Sequence, residues 1–271
     1  MPPGPVKARF GPDMHSIEPD KTPQPQDPHQ SGMSSSYNSV YDGDAAGYAR
    51  LRSCWLNRRR EEFIAARIVE YALPAGSLAV EIGSGAGRLL NRLGRRFPDL
   101  RFLGIEPLAN YVDFARTGAP SNVSYVTATA EDAGPLLPGP PRLVLSNDVL
   151  HHLPCYSTAA RGLARHAAAG CLWLALEPNQ WNPYTFLRQS AGYGERNFHP
   201  RAFAQAAGRE GWRLGSREYL FLIPPFVKQA PAWMKAMERR LERIPILAGG
   251  VCLEFSLALP SSPDGVRSVA L

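Results

Sequence analysis

The chain has 271 residues, a mass of 29.7 kDa and a hydrophobic fraction of 44%, enough to build one large α/β domain around a full core. No apolar run approaches the roughly 20 residues of a membrane-spanning helix, so we expect no integral membrane protein. Its polar, proline-rich start lacks the apolar core of a secretory signal. Four scattered cysteines without a C-x-x-C pair argue against a disulfide framework and favour a reducing cytosol. The net charge of +6 is spread along the chain and gives weak support for nucleic-acid binding.

Composition divides the chain into four parts. Residues 1–36 are rich in proline and serine and bury too little apolar surface to offset the entropy of ordering, so we predict a disordered arm. Residues 37–76 carry tyrosines and then apolar residues at helical spacing, which predicts a lid with a helix over Leu51–Tyr71. Residues 77–260 are predicted to form the main domain, and residues 261–271 a flexible tail.

The predicted lid helix carries three consecutive arginines, Arg58, Arg59 and Arg60. A charge run on a helix is usually a solvated face, and apolar residues at helical spacing occupy the other face. We therefore predict a solvated surface here and not a ligand site.

From residue 77 onwards, short apolar strands alternate with helices. The predicted strands are Leu78–Ile82, Phe102–Ile105, Val123–Val126, Arg142–Ser146, Cys171–Leu176, Trp212–Leu222 and Val251–Leu259. The predicted helices are Arg88–Phe97, Ala109–Thr117, Ser157–Ala169, Arg201–Glu210 and Ala232–Arg243. This alternation predicts an α/β, Rossmann-like fold. Its seven-stranded sheet is mostly parallel, with helices on both faces, a C-terminal antiparallel strand and the N-terminal helical lid.

The most informative motif is Val80-Glu81-Ile82-Gly83-Ser84-Gly85-Ala86-Gly87, where a predicted strand ends and a helix begins. Glycines allow a tight turn and let a ligand approach the backbone, while the following helix start offers free N–H groups. The spacing is G-x-G-x-G and not the G-x-G-x-x-G of dinucleotide-binding sheets. Glu81, two positions before the first glycine, suits a cationic amino-acid ligand better than a pyrophosphate. A nicotinamide oxidoreductase is therefore disfavoured.

A second carboxylate, Glu106, ends the next predicted strand, 19 residues after Gly87. A carboxylate at the tip of the second strand can accept hydrogen bonds from both ribose hydroxyls. The joint spacing of Glu81 and Glu106 favours a ligand-binding role over that of ordinary surface acids.

These motifs resemble the class I S-adenosylmethionine-dependent methyltransferases over about residues 41–259. The resemblance implies S-adenosylmethionine as cofactor, with its methionine end at the glycine motif and its ribose at Glu106. Thr127–Asp132 resembles the adenine-packing segment, although the family often has aspartate where Thr129 stands. Leu145–Leu153 resembles the stretch that flanks the sulfonium and the substrate. The cofactor-binding residues predicted on this basis are Glu81, Gly83, Ser84, Gly85, Gly87, Glu106, Pro107, Thr129, Ala130, Glu131 and Asn147.

Methyl transfer requires alignment of the nucleophile and, for a hydroxyl or acidic carbon, removal of a proton. His151 and His152 follow the fourth strand at the mouth of the sheet, where such a base belongs. We predict His151 as the base and His152 as a structural histidine. Glu177, at the end of the fifth strand, is predicted to orient a histidine, to bind a substrate donor or to anchor its loop. His199 is predicted to cap a helix or anchor a loop.

No metal site is predicted, because Asp148, Glu177 and Asn179 do not match the spacing of metal-dependent catechol-type methyltransferases. The segment Ser146–Val149 also differs from the N-P-P-Y or D-P-P-Y of enzymes that methylate a flipped base. Neither nucleic acid nor a membrane is therefore expected as a partner; a homodimer is left open.

Aromatic and apolar residues mark two insertions, at about 178–200 and 221–245. Apolar pockets with few polar groups suit a small aromatic, polyketide-like or lipid-like acceptor. We expect O-methylation by a cytoplasmic enzyme of secondary or lipid metabolism, with N- and C-methylation open. A cofactor-binding cyclase or scaffold of the same fold is the alternative.

Overall fold

A computed structural model of the chain describes residues 44–190 and 198–258, and seven strands within them form one sheet. The strands are β1 (Leu78–Ile82), β2 (Arg101–Glu106), β3 (Val123–Thr127), β4 (Leu143–Asn147), β5 (Leu172–Pro178), β6 (Trp212–Leu220) and β7 (Gly250–Leu257). Their order is β3-β2-β1-β4-β5-β7-β6. Strand β7 pairs antiparallel with β5 and β6, and the remaining pairs are parallel. The predicted mostly parallel sheet with a C-terminal antiparallel strand is confirmed.

Helices cover both faces of this sheet, as predicted. The helices of the described ranges are α1 (Ala45–Leu51), α2 (Trp55–Tyr71), α3 (Arg88–Arg96), α4 (Ala109–Thr117), α5 (Tyr156–His166), α6 (Pro183–Ser190), α7 (Pro200–Arg209) and α8 (Ala232–Leu241). Successive strand residues point to opposite faces. Val80 therefore packs with residues of α5 and α7, whereas Ala79 packs with residues of α2, α3 and α4. Burial on both sides explains why β1 is buried along its whole length.

The helix predicted over Leu51–Tyr71 is confirmed over Trp55–Tyr71, but its start is wrong, because the chain breaks at residues 52–54 and Leu51 ends a separate helix, α1. Leu51 is exposed and does not continue the apolar stripe of α2. Tyr48 of α1 instead meets Tyr111 of α4, with ring centroids 5.3 Å apart. The break therefore lets α1 lie against α4, beside the glycine motif.

The predicted solvated arginine face is also wrong. Three consecutive helical residues span about 200°, so they cannot all point to solvent from a packed helix. Arg60 is buried, and its Nη2 donates to Asp148 Oδ1 at 2.7 Å. Arg59 contacts Glu238 of α8 at 3.3 Å. The arginines therefore connect α2 to the loop after β4 and to the C-terminal insertion.

Three predicted features fall on residues 1–43, 191–197 and 259–271, outside the described part of the chain. They are the disordered arm, the flexible tail and part of the insertion predicted at about 178–200, and they stay predictions. His199 itself is exposed at the N-cap position of α7. None of the described helices is both long enough and apolar enough to cross a membrane.

Candidate active site

The strand order reverses between β1 and β4, and the carboxyl ends of both strands reach one edge of the sheet. Such a switch point is where open α/β sheets bind ligands. A cleft of about 470 Å³ opens there. It is lined by the glycine motif, the ends of β1, β2 and β4, and residues of α1 and α2. The sequence prediction placed the site at this edge.

The glycine motif forms a tight turn between β1 and α3. Gly83 and Gly85 have φ values of +67° and +52°, a conformation that side chains other than glycine rarely adopt. A Cβ at Gly83 would clash with Val149, whereas a Cβ at Gly85 would lie 3.3 Å from the Tyr48 ring. Gly85 therefore leaves the cleft open beneath Tyr48. Gly87 faces away, and its carbonyl accepts a hydrogen bond from the Tyr125 hydroxyl at 3.0 Å.

Glu81 ends inside the cleft with only 2% of its surface exposed. Its Oε2 has no hydrogen-bond partner among the described residues. Burial raises the pKa of Glu81 well above its usual value; the charge of Arg52 opposes this shift and that of Glu106 adds to it. A buried carboxylate with an unused acceptor is the group that an ammonium would satisfy.

Glu106 is held at the tip of β2 by two backbone donors. Gly85 N donates to Oε2 at 2.8 Å and Leu108 N to Oε1 at 3.2 Å. Burial raises the pKa of this carboxyl, and the two N–H groups act against the rise. Each carboxylate oxygen of Glu106 can accept one more hydrogen bond. The two oxygens therefore fit the two hydroxyl groups of a ribose. Pro107, which follows it, is exposed.

The predicted adenine segment does not reach the cleft walls formed by the described residues. Thr129 is exposed, and its hydroxyl pairs with Asp132 Oδ2 at 2.9 Å in a local turn. Ala130 is packed in the core, and Glu131 has a buried Oε1 without a hydrogen-bond partner among the described residues. These three residues therefore remain sequence predictions. Asn147 does line the cleft.

Glu177 and His151 form a buried pair at the β4–β5 side of the cleft. His151 Nδ1 lies 2.6 Å from Glu177 Oε2, and His151 is 3% exposed. Glu177 Oε1 also accepts the backbone N–H groups of Val149 at 3.0 Å and Leu150 at 2.8 Å. Both carboxylate oxygens are thus engaged. Glu177 orients the histidine and anchors its loop, and of the three roles predicted for it, only donor binding to a substrate is disfavoured.

His152 lies beside His151, and their ring centroids are 3.9 Å apart. Both residues sit in a short 3-10 turn, and their ring planes meet at an angle of 42°. Both histidines line the cleft. Burial, together with the charge of His151, lowers the pKa of His152 to about 3. His152 is therefore neutral at physiological pH.

Asp148 follows β4 with a φ of +57° and receives two guanidinium groups. Arg60 binds it through both terminal nitrogens, and Arg52 Nη2 donates to Oδ2 at 3.0 Å. Burial alone would raise the pKa of Asp148, but the two arginines outweigh it and hold that pKa below its usual value. The sequence analysis did not identify Arg52 or Arg60 as site residues. For Arg60, the available signal was the run of arginines at residues 58–60 within an amphipathic helix.

A second cavity of about 430 Å³ adjoins the cleft and shares Arg52, Arg60 and Asp148 with it. Its other walls come from segment 221–226, α6 and the turn around Ile246. These walls are largely apolar and lie in the two predicted insertions. The cavity is the natural place for an acceptor beside the cofactor cleft.

The three candidate metal ligands considered from the sequence are engaged elsewhere. Asp148 binds arginines and Glu177 binds His151, while Asn179 Nδ2 donates to the carbonyls of Pro245 at 2.6 Å and Ala248 at 2.7 Å. Within the described ranges, no group of three or more His, Cys, Asp or Glu residues is arranged to hold a metal ion.

Comparison with known proteins agrees with this geometry. Residues 80–173 match the methyltransferase domain family. The chain is 30% identical over 170 residues to trans-aconitate 2-methyltransferase of Methylobacterium nodulans, covering 62% of each protein. It is 28% identical over 175 residues to the protein of that name in Methylobacterium radiotolerans, covering 62% of this chain and 64% of that protein. The chain thus spans less than two thirds of the curated relatives that it matches.

Solved structures show the same fold at low sequence identity. Geranyl diphosphate C-methyltransferase of Streptomyces coelicolor, in complex with Mg²⁺, geranyl diphosphate and S-adenosyl-L-homocysteine, superposes with a TM-score of 0.55 at 17% identity, covering 74% of this chain and 80% of that one. A SAM-dependent methyltransferase of Archaeoglobus fulgidus gives 0.55 at 13% identity, covering 81% and 97%. Residues 80–173 are thus similar to a methyltransferase domain, and the chain has the fold of these S-adenosylmethionine-dependent methyltransferase structures. The cleft fits S-adenosylmethionine as cofactor, because the unused Oε2 of Glu81 suits its ammonium group and Glu106 suits its ribose.

Cofactor binding should be coupled to the release of a proton from the Glu81 carboxyl group. The carboxyl has a raised pKa in the free protein, and an ammonium bound beside it favours the charged form. Affinity for S-adenosylhomocysteine should therefore rise as pH increases from the usual glutamate value of 4.5 through the raised one. Calorimetry in buffers of different ionisation enthalpy should show proton release in that window. Glu81→Gln should abolish the release; unchanged proton release in this variant would contradict the assignment.

Asp148 should contribute stability through its two arginines. Asp148→Asn keeps a residue that tolerates the positive φ but leaves two guanidinium groups without a counter-charge. We expect a loss of about 3–5 kcal/mol in the free energy of unfolding, as when one partner of a buried pair is removed. Because the pKa of Asp148 is lowered on folding, its contribution is present above the usual value of 3.8 and is lost as the pH falls below it.

Denaturant titration at neutral and acidic pH checks this prediction. The matched control is Asp113→Asn, since Asp113 pairs with Arg116 at 3.2 Å on the exposed surface of α4. The control should change stability by less than about 1 kcal/mol. An Asp148 variant no less stable than this control would contradict the account.

Proposed function

We propose that this protein transfers a methyl group from S-adenosylmethionine to a small, largely apolar acceptor, and that the acceptor atom is a hydroxyl oxygen. The observation that carries the proposal is the His151–Glu177 pair: His151 lines the cofactor cleft, and this cleft adjoins the largely apolar cavity through Asp148 and Pro178. When bound, S-adenosylmethionine supplies a methyl group that its sulfonium already activates.

His151 acts as the general base in this proposal. In the form that can accept a proton, the His151 ring is neutral, donates its Nδ1–H to Glu177 and carries its lone pair on Nε2. That nitrogen takes the proton from the acceptor hydroxyl as the oxygen attacks. The backbone N–H groups of Val149 and Leu150 keep Glu177 in place, which preserves the ring orientation.

An acceptor that carries a carboxylate is the second candidate. Arg52 and Arg60 line both cavities and have Asp148 between them, so two positive charges face one negative charge. The surplus positive charge would attract an anionic group next to the apolar walls. The names of the curated relatives point the same way, since trans-aconitate is an anion.

A tritiated-methyl transfer assay over an acceptor panel tests both candidates. The panel holds aromatic and lipid-like alcohols, the matching amines, and carboxylic acids including trans-aconitate. We expect label on alcohols, and loss of that label in His151→Ala. Label on carboxylates alone, lost in Arg52→Gln, would favour the second candidate. Cofactor binding without label on any acceptor would favour a cyclase or scaffold. A cytoplasmic location, a homodimer and a role in secondary metabolism stay predictions from the sequence.

A further inference from the structure

The C-terminal insertion, residues 221–249, exposes several large apolar side chains to solvent. Phe226 is 70% exposed, Trp233 65% and Ile246 57%, and Met237 and Ile244 are also exposed. Trp233, Met237 and Ile244 recur at helical spacing along α8 and the turn after it. The neighbouring side of α8, about 100° round the helix, is already packed, because Met234 contacts the cluster around Trp55 and Glu238 is buried.

The acidic and basic residues of this insertion differ in their exposure to solvent. Its two acids are buried: Glu238 accepts hydrogen bonds from Trp55 Nε1 at 2.9 Å and Ile223 N at 3.1 Å, and Glu242 accepts one from Phe221 N at 3.1 Å. Its exposed charged residues are all basic, namely Lys228, Arg239, Arg240 and Arg243. The outward side of the insertion therefore combines bulky apolar groups with positive charge and has no exposed acid.

This surface reaches the second cavity through Phe226 and Ile246. The Phe226 ring meets Tyr184 of α6 at a centroid distance of 6.1 Å, and both residues line the cavity together with Ile246. Asn182 Nδ2 donates to Leu247 O at 2.8 Å and fixes the start of α6 against the turn after α8. Exposed Trp181 extends the apolar area on the α6 side.

We propose that this rim surface, defined by Trp181, Tyr184, Phe226, Lys228, Trp233, Met237, Arg239, Arg240 and residues 243–246, docks on an anionic lipid bilayer. Aromatic and aliphatic side chains next to Lys and Arg are the composition of segments that lie in the membrane interface. An acidic protein would match the charge as well. Bulky apolar groups in a protein interface need fitted pockets, however, whereas lipid accepts them at any spacing. Docking of this kind would place the cavity mouth against the bilayer.

Binding of the full chain to vesicles tests this proposal independently of methyl transfer. Phosphatidylcholine vesicles, with and without roughly 30 mol% phosphatidylglycerol, serve as the probe. We expect binding that needs the anionic lipid and weakens with salt. Arg239→Gln combined with Arg240→Gln should weaken it by about 10- to 30-fold, because each basic residue near the surface contributes about 3- to 5-fold. Trp233→Ser, at an exposed site, should weaken it several-fold.

The matched control removes two exposed arginines from the opposite edge of the sheet, in Arg209→Gln combined with Arg213→Gln. It carries the same net charge as the rim variant and should bind like the wild type. Three results would overturn the proposal: no binding to anionic vesicles, equal weakening by the control, or self-association of the wild type that Trp233→Ser abolishes. Binding to an acidic polypeptide as tight as to the vesicles, and unaffected by Trp233→Ser, would also overturn it in favour of a protein partner.

Discussion

His151→Ala is expected to lower kcat by about 10²–10⁴, the contribution typical of a general base, while affinity for S-adenosylhomocysteine stays near that of the wild type. The separation is expected because His151 pairs with Glu177, on the β4–β5 side, and not with the carboxylates of β1 and β2 that face the cofactor. Single-turnover kinetics and calorimetry measure the two quantities separately.

Two further variants make this prediction specific. Glu177→Gln keeps an oxygen for the backbone donors but loses the carboxylate that orients the ring, so it should lower kcat at unchanged cofactor affinity. His152→Ala should lower kcat much less. If only His152→Ala lost turnover, the roles of the two histidines would be reversed. If all three variants kept full turnover, catalysis would proceed by alignment alone.

Gly85→Val should abolish cofactor binding. The φ of +52° strains any side chain there, and the new side chain would enter the space beneath Tyr48 that the cofactor needs. The matched control is Gly76→Val, because Gly76 has a φ of +76° but a Cβ at this position would meet no atom within 4 Å. Backbone strain should lower the free energy of unfolding of both variants by a similar amount, roughly 1–2 kcal/mol.

Calorimetry and denaturant titration compare the two glycine variants. Only Gly85→Val should lose binding of S-adenosylhomocysteine, while both should remain folded. Wild-type affinity in Gly85→Val would show that the cofactor lies elsewhere. Equal loss of binding in both variants would assign the effect to backbone strain and not to the cleft.

Regular features of the fold and cofactor site were predictable from the sequence. Short apolar strands alternating with helices dictate a sheet buried on both faces, and the carboxyl ends of neighbouring parallel strands meet at one edge. Glu81 and Glu106 end adjacent strands, so their convergence follows from topology. The same argument brought Glu177 and His151 to one rim.

Contacts set by tertiary packing were not predictable in this way. Which arginine of residues 58–60 turns inward depends on the position of Asp148, 88 residues further along the chain. The break between α1 and α2 has no glycine or proline to mark it, since residues 52–54 are Arg, Ser and Cys. The close contact of the His151 and His152 rings depends on a 3-10 turn whose backbone N–H groups donate to Glu177, and no local pattern specifies that turn.

The most direct test of the cofactor assignment is calorimetric titration of the wild-type protein with S-adenosylhomocysteine and, separately, with NAD. We expect a single site of roughly micromolar affinity for S-adenosylhomocysteine, near −8 kcal/mol, and no heat with NAD. Binding of NAD without binding of S-adenosylhomocysteine would contradict the account.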